Sequence, residues 1–341
     1  MKPPILVFSD THFHNWKSHA TIVDGVNSRL SDTLKACIQA FEIGKAHGCK
    51  LALFGGDMFH VRGTLKPSVM NQAVSLFLRY GSEMDILMVP GNHDMENFRY
   101  GDTAVDIFSV VEGCSVASTP FSFNVHGWSV GCLPYIHDSE EFKKEFKELA
   151  ADKPDVFLVH QGIDNFKTEP GMPDLGVTAQ WLKDNADGAW VLAGHYHAAQ
   201  QNERVISIGA PLQQNFGEEE KTGCWVVYED RAEHFPLAGP RFVTIEADDL
   251  KALKKQESEI KGNFVRVRTN KASLAEKLRE RIEEVGGASA TILVEHEFEK
   301  AHAESITITT PRKMLCEFVE KVEPYKKDGE RLIALFDKIS P

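Results

Sequence analysis

What this chain lacks narrows it first. Its six cysteines (Cys37, Cys49, Cys114, Cys132, Cys224, Cys316) are scattered and include no C-x-x-C pair. They therefore read as buried free thiols in a reducing compartment, the cytoplasm, and not as a disulfide framework or a thiolate zinc site. No apolar window is long enough to cross a membrane. The opening run Ile5-Leu6-Val7-Phe8 stops at Ser9-Asp10, short of the apolar stretch of a signal peptide. Repeats and low-complexity tracts are absent. A surplus of positive charge is missing too, since 38 Lys+Arg against 50 Asp+Glu leave a formal net charge of -12. That excludes a generic nucleic-acid binder coated in Lys and Arg. It does not exclude a nuclease, because a pair of divalent cations supplies strong positive charge where a phosphate must sit. The remainder, 341 residues with 42% hydrophobic and 26% charged, has room for one large domain and a smaller one.

Short, largely apolar runs at Ile5–Phe8, Lys50–Phe54, Ile86–Val89, Asp155–His160 and Trp190–Ala193 predict buried strands. Between them, 31–48, 67–80 and 140–150 carry helical periodicity, with Ser31 as the expected N-cap of the first helix and Gly48 as its stop. A further helix is expected around Thr103–Val111, and Phe121–Val125 with Trp128–Leu133 read as two short strands. Arg204–Ile208, Cys224–Glu229 and Glu233–Pro236 are expected to be antiparallel strands closing the domain. The fold class is therefore α/β, a two-sheet sandwich flanked by helices. Leu237-Ala238-Gly239-Pro240 reads as a linker into a small α+β unit, and Thr310-Pro311 opens a helical tail with apolar stripes at Met314–Val322 and Leu332–Ile339. The expected domains are 1–237, 238–305 and 306–341.

Five of the strand ends finish in metal-ligand residues: Asp10-Thr11-His12, Gly56-Asp57, Gly91-Asn92-His93-Asp94, His160 and Gly194-His195-Tyr196-His197. Any one alone is an ordinary cap, turn or core residue. Together they cluster at the C-terminal edge of the sheets, where α/β folds place their sites. Asp10 and Asp57 are hard oxygen donors, Asn92 a neutral oxygen, and His12, His160, His195 and His197 borderline nitrogens. Mixed O/N ligation suits Mn²⁺, Fe or Zn²⁺ better than Mg²⁺. Asp57 can bridge two cations about 3.5–4 Å apart, a spacing that clamps a phosphate for in-line attack by water. His93, beside Asn92 but not itself a ligand, is placed to protonate the leaving oxygen. His14 is a further candidate because its loop leaves the site. Arg29, at the end of the polar loop after the first motif, is the candidate phosphate contact, with Lys66, Arg99, Arg266 and Arg268 behind it.

This ordered set of motifs resembles that of calcineurin-like metallophosphoesterases, over roughly the first two-thirds of the chain. The resemblance implies one cation held by Asp10, His12, Asp57 and His197, another by Asp57, Asn92, His160 and His195, and a catalytic His93. A narrower resemblance is to the nuclease subunit of SbcCD-type double-strand-break repair complexes and their bacteriophage counterparts. It rests on Gly56-Asp57-Met58-Phe59-His60, where His60 helps position the chemistry, and on Ile208–Glu218 after the last motif. It implies a Mn²⁺-dependent DNA exonuclease, also endonucleolytic, with two metal ions and a DNA-contacting small domain. It further implies an SMC-like SbcC-type ATPase bound to the C-terminal segment, and a homodimer formed through helices after Asp57 and Asp94. The compartment would be a bacterial cytoplasm, or the host's for a phage-encoded chain. Protein phosphatases of the same fold usually carry Asp-Arg-Gly after the second motif and Glu after Asn-His. Met58-Phe59-His60 and Asp94 stand there instead, so a phosphatase or a small-molecule phosphodiesterase is the alternative reading.

Overall fold

In the computed structural model the described residues are 2–97, 101–164, 166 and 176–294, with 315, 329 and 331–333 beyond them. Residues 1–294 make one compact unit and 295–341 a second. The expected helical tail therefore lies almost wholly outside the described residues, as does Arg99.

Two six-stranded sheets build the first unit. The first runs in the spatial order Ala232–Phe235, Cys224–Val227, Ile5–Phe8, Leu51–Phe54, Asp85–Met88, Cys114–Val116. The second runs Gln200–Asn202, Val205–Ser207, Trp190–Gly194, Val156–His160, Trp128–Leu133, Phe121–Val125. Strand alternation assigns each side chain to a layer. Ile5, Val7, Leu51, Leu53 and Leu87 point between the sheets, where they meet Val130, Leu158, Leu192 and Trp225. Leu6, Phe8, Ala52, Phe54 and Met88 point outward onto helices Ser28–Ala46 and Pro67–Gly81, against Phe41, Phe77 and Tyr80. On the far side, Phe157, Val159 and Val191 lie under Phe142, Phe146 and Leu182 of helices Ser139–Ala150 and Ala179–Asn185. The result is a helix–sheet–sheet–helix sandwich, and it explains why the central strands are apolar on both faces. Among the described residues no helix is long and apolar enough to cross a membrane. Cys37, Cys49, Cys114, Cys132 and Cys224 are buried and free.

Three expectations need correction. The first helix begins at Ser28, because a short hairpin (Ile22–Val23 with Val26–Asn27) delivers Asn27, whose side chain caps the Leu30 N–H at 3.3 Å. Residues 103–111 do not form an α-helix. A short 3₁₀ turn at Asp106–Val110 takes their place, held by the Asp106 carboxylate, which accepts from the Thr103 N–H at 2.8 Å and from the Ser118 hydroxyl. Val205–Ser207 is not antiparallel to its inner neighbour; it joins the second sheet in parallel beside Trp190–Gly194. Its antiparallel partner is the outer strand Gln200–Asn202, while Cys224–Val227 and Ala232–Phe235 close antiparallel and extend the first sheet.

After Pro240 a three-stranded sheet follows (Phe242–Glu246, Phe264–Thr269, Ser289–Val294), parallel throughout. Parallel strands need crossovers, here helices Leu250–Lys254 and Glu257–Ile260, then Ala275–Val285. Ile245, Val265 and Val267 pack under Leu253, Ile260, Leu278 and Ile282. Gly286, at φ 86°, ends the last helix in the left-handed conformation.

Candidate metal centre

Parallel register brings the strand ends level. Phe8 pairs with Phe54 and Phe54 with Met88, so Asp10, Asp57 and Asn92 emerge together. In the second sheet Gly194 pairs with His160, which sets His195 beside it. Backbone bonds then lock the turns: Asp10 N–H to Gly56 O at 2.9 Å, His12 N–H to Asp57 O at 3.0 Å. The sheets are stitched across the site by the His195 N–H, which donates to the Asp10 carboxylate at 3.1 Å, and by His160 Nδ1–H, which donates to Gly55 O at 2.6 Å. Such close approach requires glycine. A Cβ on Gly56 would lie 2.5 Å from His160 Nδ1, and one on Gly91 would lie 2.1 Å from Asp57 Oδ1. Four ligand candidates, Asp10 (φ 54°), His12 (φ 42°), Asp57 (φ 52°) and His195 (φ 108°), sit in the left-handed region that L-residues avoid.

All seven expected ligands fall in one place. Donor atoms of Asp10, His12 and His197 lie within 4.8 Å of one another, as do those of Asp57, His160 and His195. Asp57 Oδ2 stands between the groups, 3.5 Å from His12 Nε2 and 3.6 Å from His160 Nε2. Its other oxygen, Oδ1, accepts the His93 N–H at 2.8 Å. Asn92 Oδ1 lies 3.2 Å from His160 Nε2 and 2.9 Å from His195 Nδ1. The donor chemistry fits cations. His160 gives its Nδ1 proton to a carbonyl, so its Nε2 is a lone pair, and it faces oxygens that also carry lone pairs. His197 likewise donates from Nδ1 to Glu218 at 2.8 Å, and its Nε2 lies 3.1 Å from His12 Nε2. Converging acceptors of this kind repel unless positive charge lies among them.

In the metal-free protein the positive charge is carried by His197 itself, whose Nε2 then donates to His12. Burial raises the Asp10 and Asp57 carboxyls, and the buried His12, His160 and His195 imidazoles are pushed down, His195 to about 3. Burial works against charge on His197 as well, but the bond and charge of Glu218, with Asp10 and Asp57, outweigh it and hold that imidazole at about 9. Asp94 organises the turn from behind. Its buried carboxylate accepts N–H groups from Met58 (3.2 Å), Phe59 (3.1 Å) and Gly91 (2.9 Å).

His93 is half-buried beside the ligands, its ring 4.8 Å from that of His12. Nδ1 donates to His60 O at 2.8 Å, which leaves Nε2 as the nitrogen available for proton exchange in the cleft. His60 thus touches His93 through its backbone. Its own ring packs 4.4 Å from Trp16 and is pushed down to about 4 by burial and neighbouring imidazoles, so it is neutral near pH 7. Two expected substrate contacts sit otherwise. Arg29 is buried and donates to Gln214 O at 2.7 Å and Ser18 O at 3.3 Å, with its guanidinium 4.2 Å from the Trp16 ring. His14 packs between Trp16 and His60. Arg266 is likewise engaged, with Thr244 and over Phe216. Reading strand ends alone passes over Glu218, Trp16, Gln214 and Asn215, because they reach the site from loops; Gln214, Asn215 and Glu218 carried a signal in the Ile208–Glu218 run.

Two cation pockets sharing a carboxylate, with a free imidazole alongside, define a dimetal phosphoesterase site. Residues 3–199, more than half of the chain, match the profile of the calcineurin-like phosphoesterases, and the chain belongs to that family of metal-dependent phosphoester hydrolases. No curated protein matches the chain in sequence. Among solved structures it is similar to a dimetal phosphatase from Danio rerio, at 10% identity and a TM-score of 0.44 over 68% of this chain and 95% of that one. It is also similar to the nuclease MPE of Pseudomonas putida, at 13% identity and a TM-score of 0.31 over 68% of this chain and 87% of that one. Likenesses of this size carry no argument about substrate.

Proposed function

We propose that the protein is a DNA nuclease, exonucleolytic and also endonucleolytic, that hydrolyses phosphodiester bonds at this centre with Mn²⁺ as its cation. The observation that carries the reading is the make-up of the cleft. It is open, about 430 Å³, and lined by His12, Asp57, Asn92, His195 and His197 of the ligand set with His60, His93, Trp16, Gln214, Asn215 and Glu218, and no lysine or arginine is among its described walls. A phosphomonoester brings two negative charges and a diester one, so a cleft without cationic side chains suits the diester. When bound, two divalent cations would supply charge stabilisation to the phosphoryl oxygens and nucleophile activation at neutral pH. Asp10, His12, Asp57 and His197 would hold one, and Asp57, Asn92, His160 and His195 the other. The chain's own contribution is positional and acid–base. The His93 N–H fixes the carboxylate of Asp57, and His93 Nε2 gives a proton to the leaving oxygen. His60 positions His93 through its carbonyl.

On this reading the protein serves a recombination or repair complex as a homodimer, with an SbcC-type ATPase docked on residues 306–341. The test is digestion of end-labelled linear and closed circular DNA with and without Mn²⁺, beside bis-nitrophenyl phosphate and nitrophenyl phosphate. DNA cleavage and a preference for the diester are expected. Intact DNA with a cleaved diester would leave a small-molecule phosphodiesterase, and a preference for the monoester would overturn both.

A further inference from the structure

The last residue of the Ile208–Glu218 stretch stands directly behind a ligand imidazole of the centre. Glu218 carries a buried carboxylate, 3% exposed, and Oε1 accepts from His197 Nδ1 at 2.8 Å. The remaining capacity of the carboxylate is also used. Asn215 Nδ2 donates to Oε1 at 2.8 Å and the Gln214 N–H donates to Oε2 at 2.7 Å. The loop is anchored twice more, by Gln213 Nε2 donating to Glu218 O at 3.0 Å and Gln214 Nε2 donating to Asp10 O at 3.1 Å. A carboxylate held this way does not swing toward solvent.

The other ligand imidazoles differ in their backing. His160 is backed by the Gly55 carbonyl, and His12 Nδ1 has no partner. A carboxylate behind an imidazole fixes its tautomer and orientation and makes its far nitrogen a stronger donor. Resting on the reading of this cleft as a two-cation centre, we propose that Glu218 is a positioning residue. It acts through His197 to fix the Nδ1–H tautomer and aim Nε2 at the site shared with Asp10 and His12, and it thereby strengthens one cation site and not the other.

The test is Mn²⁺ titration calorimetry on the full chain, wild type against Glu218→Gln, with melting of the chelator-treated proteins alongside. Glu220→Gln is the control. It removes the same charge from the same loop, but Glu220 is 61% exposed and pairs with Arg241 at 3.2 Å, away from His197. Wild type is expected to take up two ions. In Glu218→Gln one of the two affinities is expected to fall about 10–100-fold, the other to hold, and Glu220→Gln to match wild type. Unchanged affinities in Glu218→Gln would overturn the proposal, as would equal weakening by Glu220→Gln. Loss of both ions together with a lower melting temperature would show a purely structural role and overturn it too. Should Glu218→Gln fail to fold, Glu218→Asp, which leaves the charge one methylene short of His197, is read by the same outcomes. A wild type that takes up fewer than two ions would instead bring down the two-cation reading itself.

Discussion

The metal centre and the three-stranded unit after Pro240 are built on opposite principles. In the small unit, positive φ among the described residues falls on Gly262 and Gly286, and its helix buries Leu278 and Ile282 as periodicity dictates. At the centre the positive φ values fall on Asp10, His12, Asp57 and His195, residues for which that conformation costs on the order of 1–3 kcal/mol each. Asp10, His12 and Asp57 are also buried and His195 half-buried, with lone pairs facing one another. The small unit is therefore stable by the ordinary rules of folding, whereas the centre is held in place by the sandwich around it and is completed by charge. Local agreement between sequence and structure marks scaffold; local disagreement marks function.

This contrast can be broken or sharpened experimentally, beginning with the largest effect. Asp57→Asn removes the one carboxylate shared by both pockets. It is expected to lose both cations and all measurable hydrolysis, checked by metal analysis of the purified variant; retention of two ions would contradict the bridging arrangement. His93→Ala is expected to keep both ions and to lose hydrolysis about 10²–10⁴-fold, checked by the same metal analysis and by kcat. Full loading with unimpaired turnover would dismiss His93 as the acid.

A smaller effect is expected from pH on the metal-free protein. His197 is held at about 9 against an ordinary 6.5. A raised imidazole contributes stability in full below 6.5 and loses it as pH climbs through about 9. Melting temperature in chelator should therefore fall between pH 7 and 9, while affinity for Mn²⁺ rises over the same window as the proton leaves. Below 6.5 the depressed His12, His160 and His195 act with the opposite sign, against the raised Asp10, Asp57 and Asp94 carboxyls, which favour the folded state as pH falls. A flat melting profile from 7 to 9 would refute the His197–Glu218 pairing.

The smallest effect on chemistry is expected from the small unit. Leu278→Ala opens a cavity in its core and should cost about 2–5 kcal/mol of stability there. Hydrolysis of a small chromogenic diester is expected to stay within about twofold, because distant sites act independently. A direct bridge to the loop that carries Glu218 is the Phe242 N–H, which donates to Gln213 Oε1 at 3.0 Å, with Arg266 Nη2 donating to Phe216 O at 3.4 Å beside it. A fall in Mn²⁺ affinity in Leu278→Ala would show that this bridge transmits, and that the two regions are less separate than their construction implies.

The sequence by itself determined the strands, since Ile5–Phe8, Leu51–Phe54 and Val156–His160 are apolar on both faces and can only be buried. It also singled out the candidate ligands, because metal-binding residue types stand where those strands stop. Helix boundaries were less legible. Ser31 looked like a cap, but a short hairpin of Ile22–Val23 with Val26–Asn27 presents Asn27 to the helix ahead of the start that periodicity suggested. Arg29 looked free for phosphate until folding brought Gln214 and Trp16 to its guanidinium. Only the tertiary structure decided that Asp57 faces both groups of imidazoles, that Asp94 ties three backbone N–H groups, and that Glu218 stands behind His197. Those facts depend on the register between parallel strands and on long-range loop closure, and a linear pattern of residue types encodes neither distance nor direction between segments far apart in the chain.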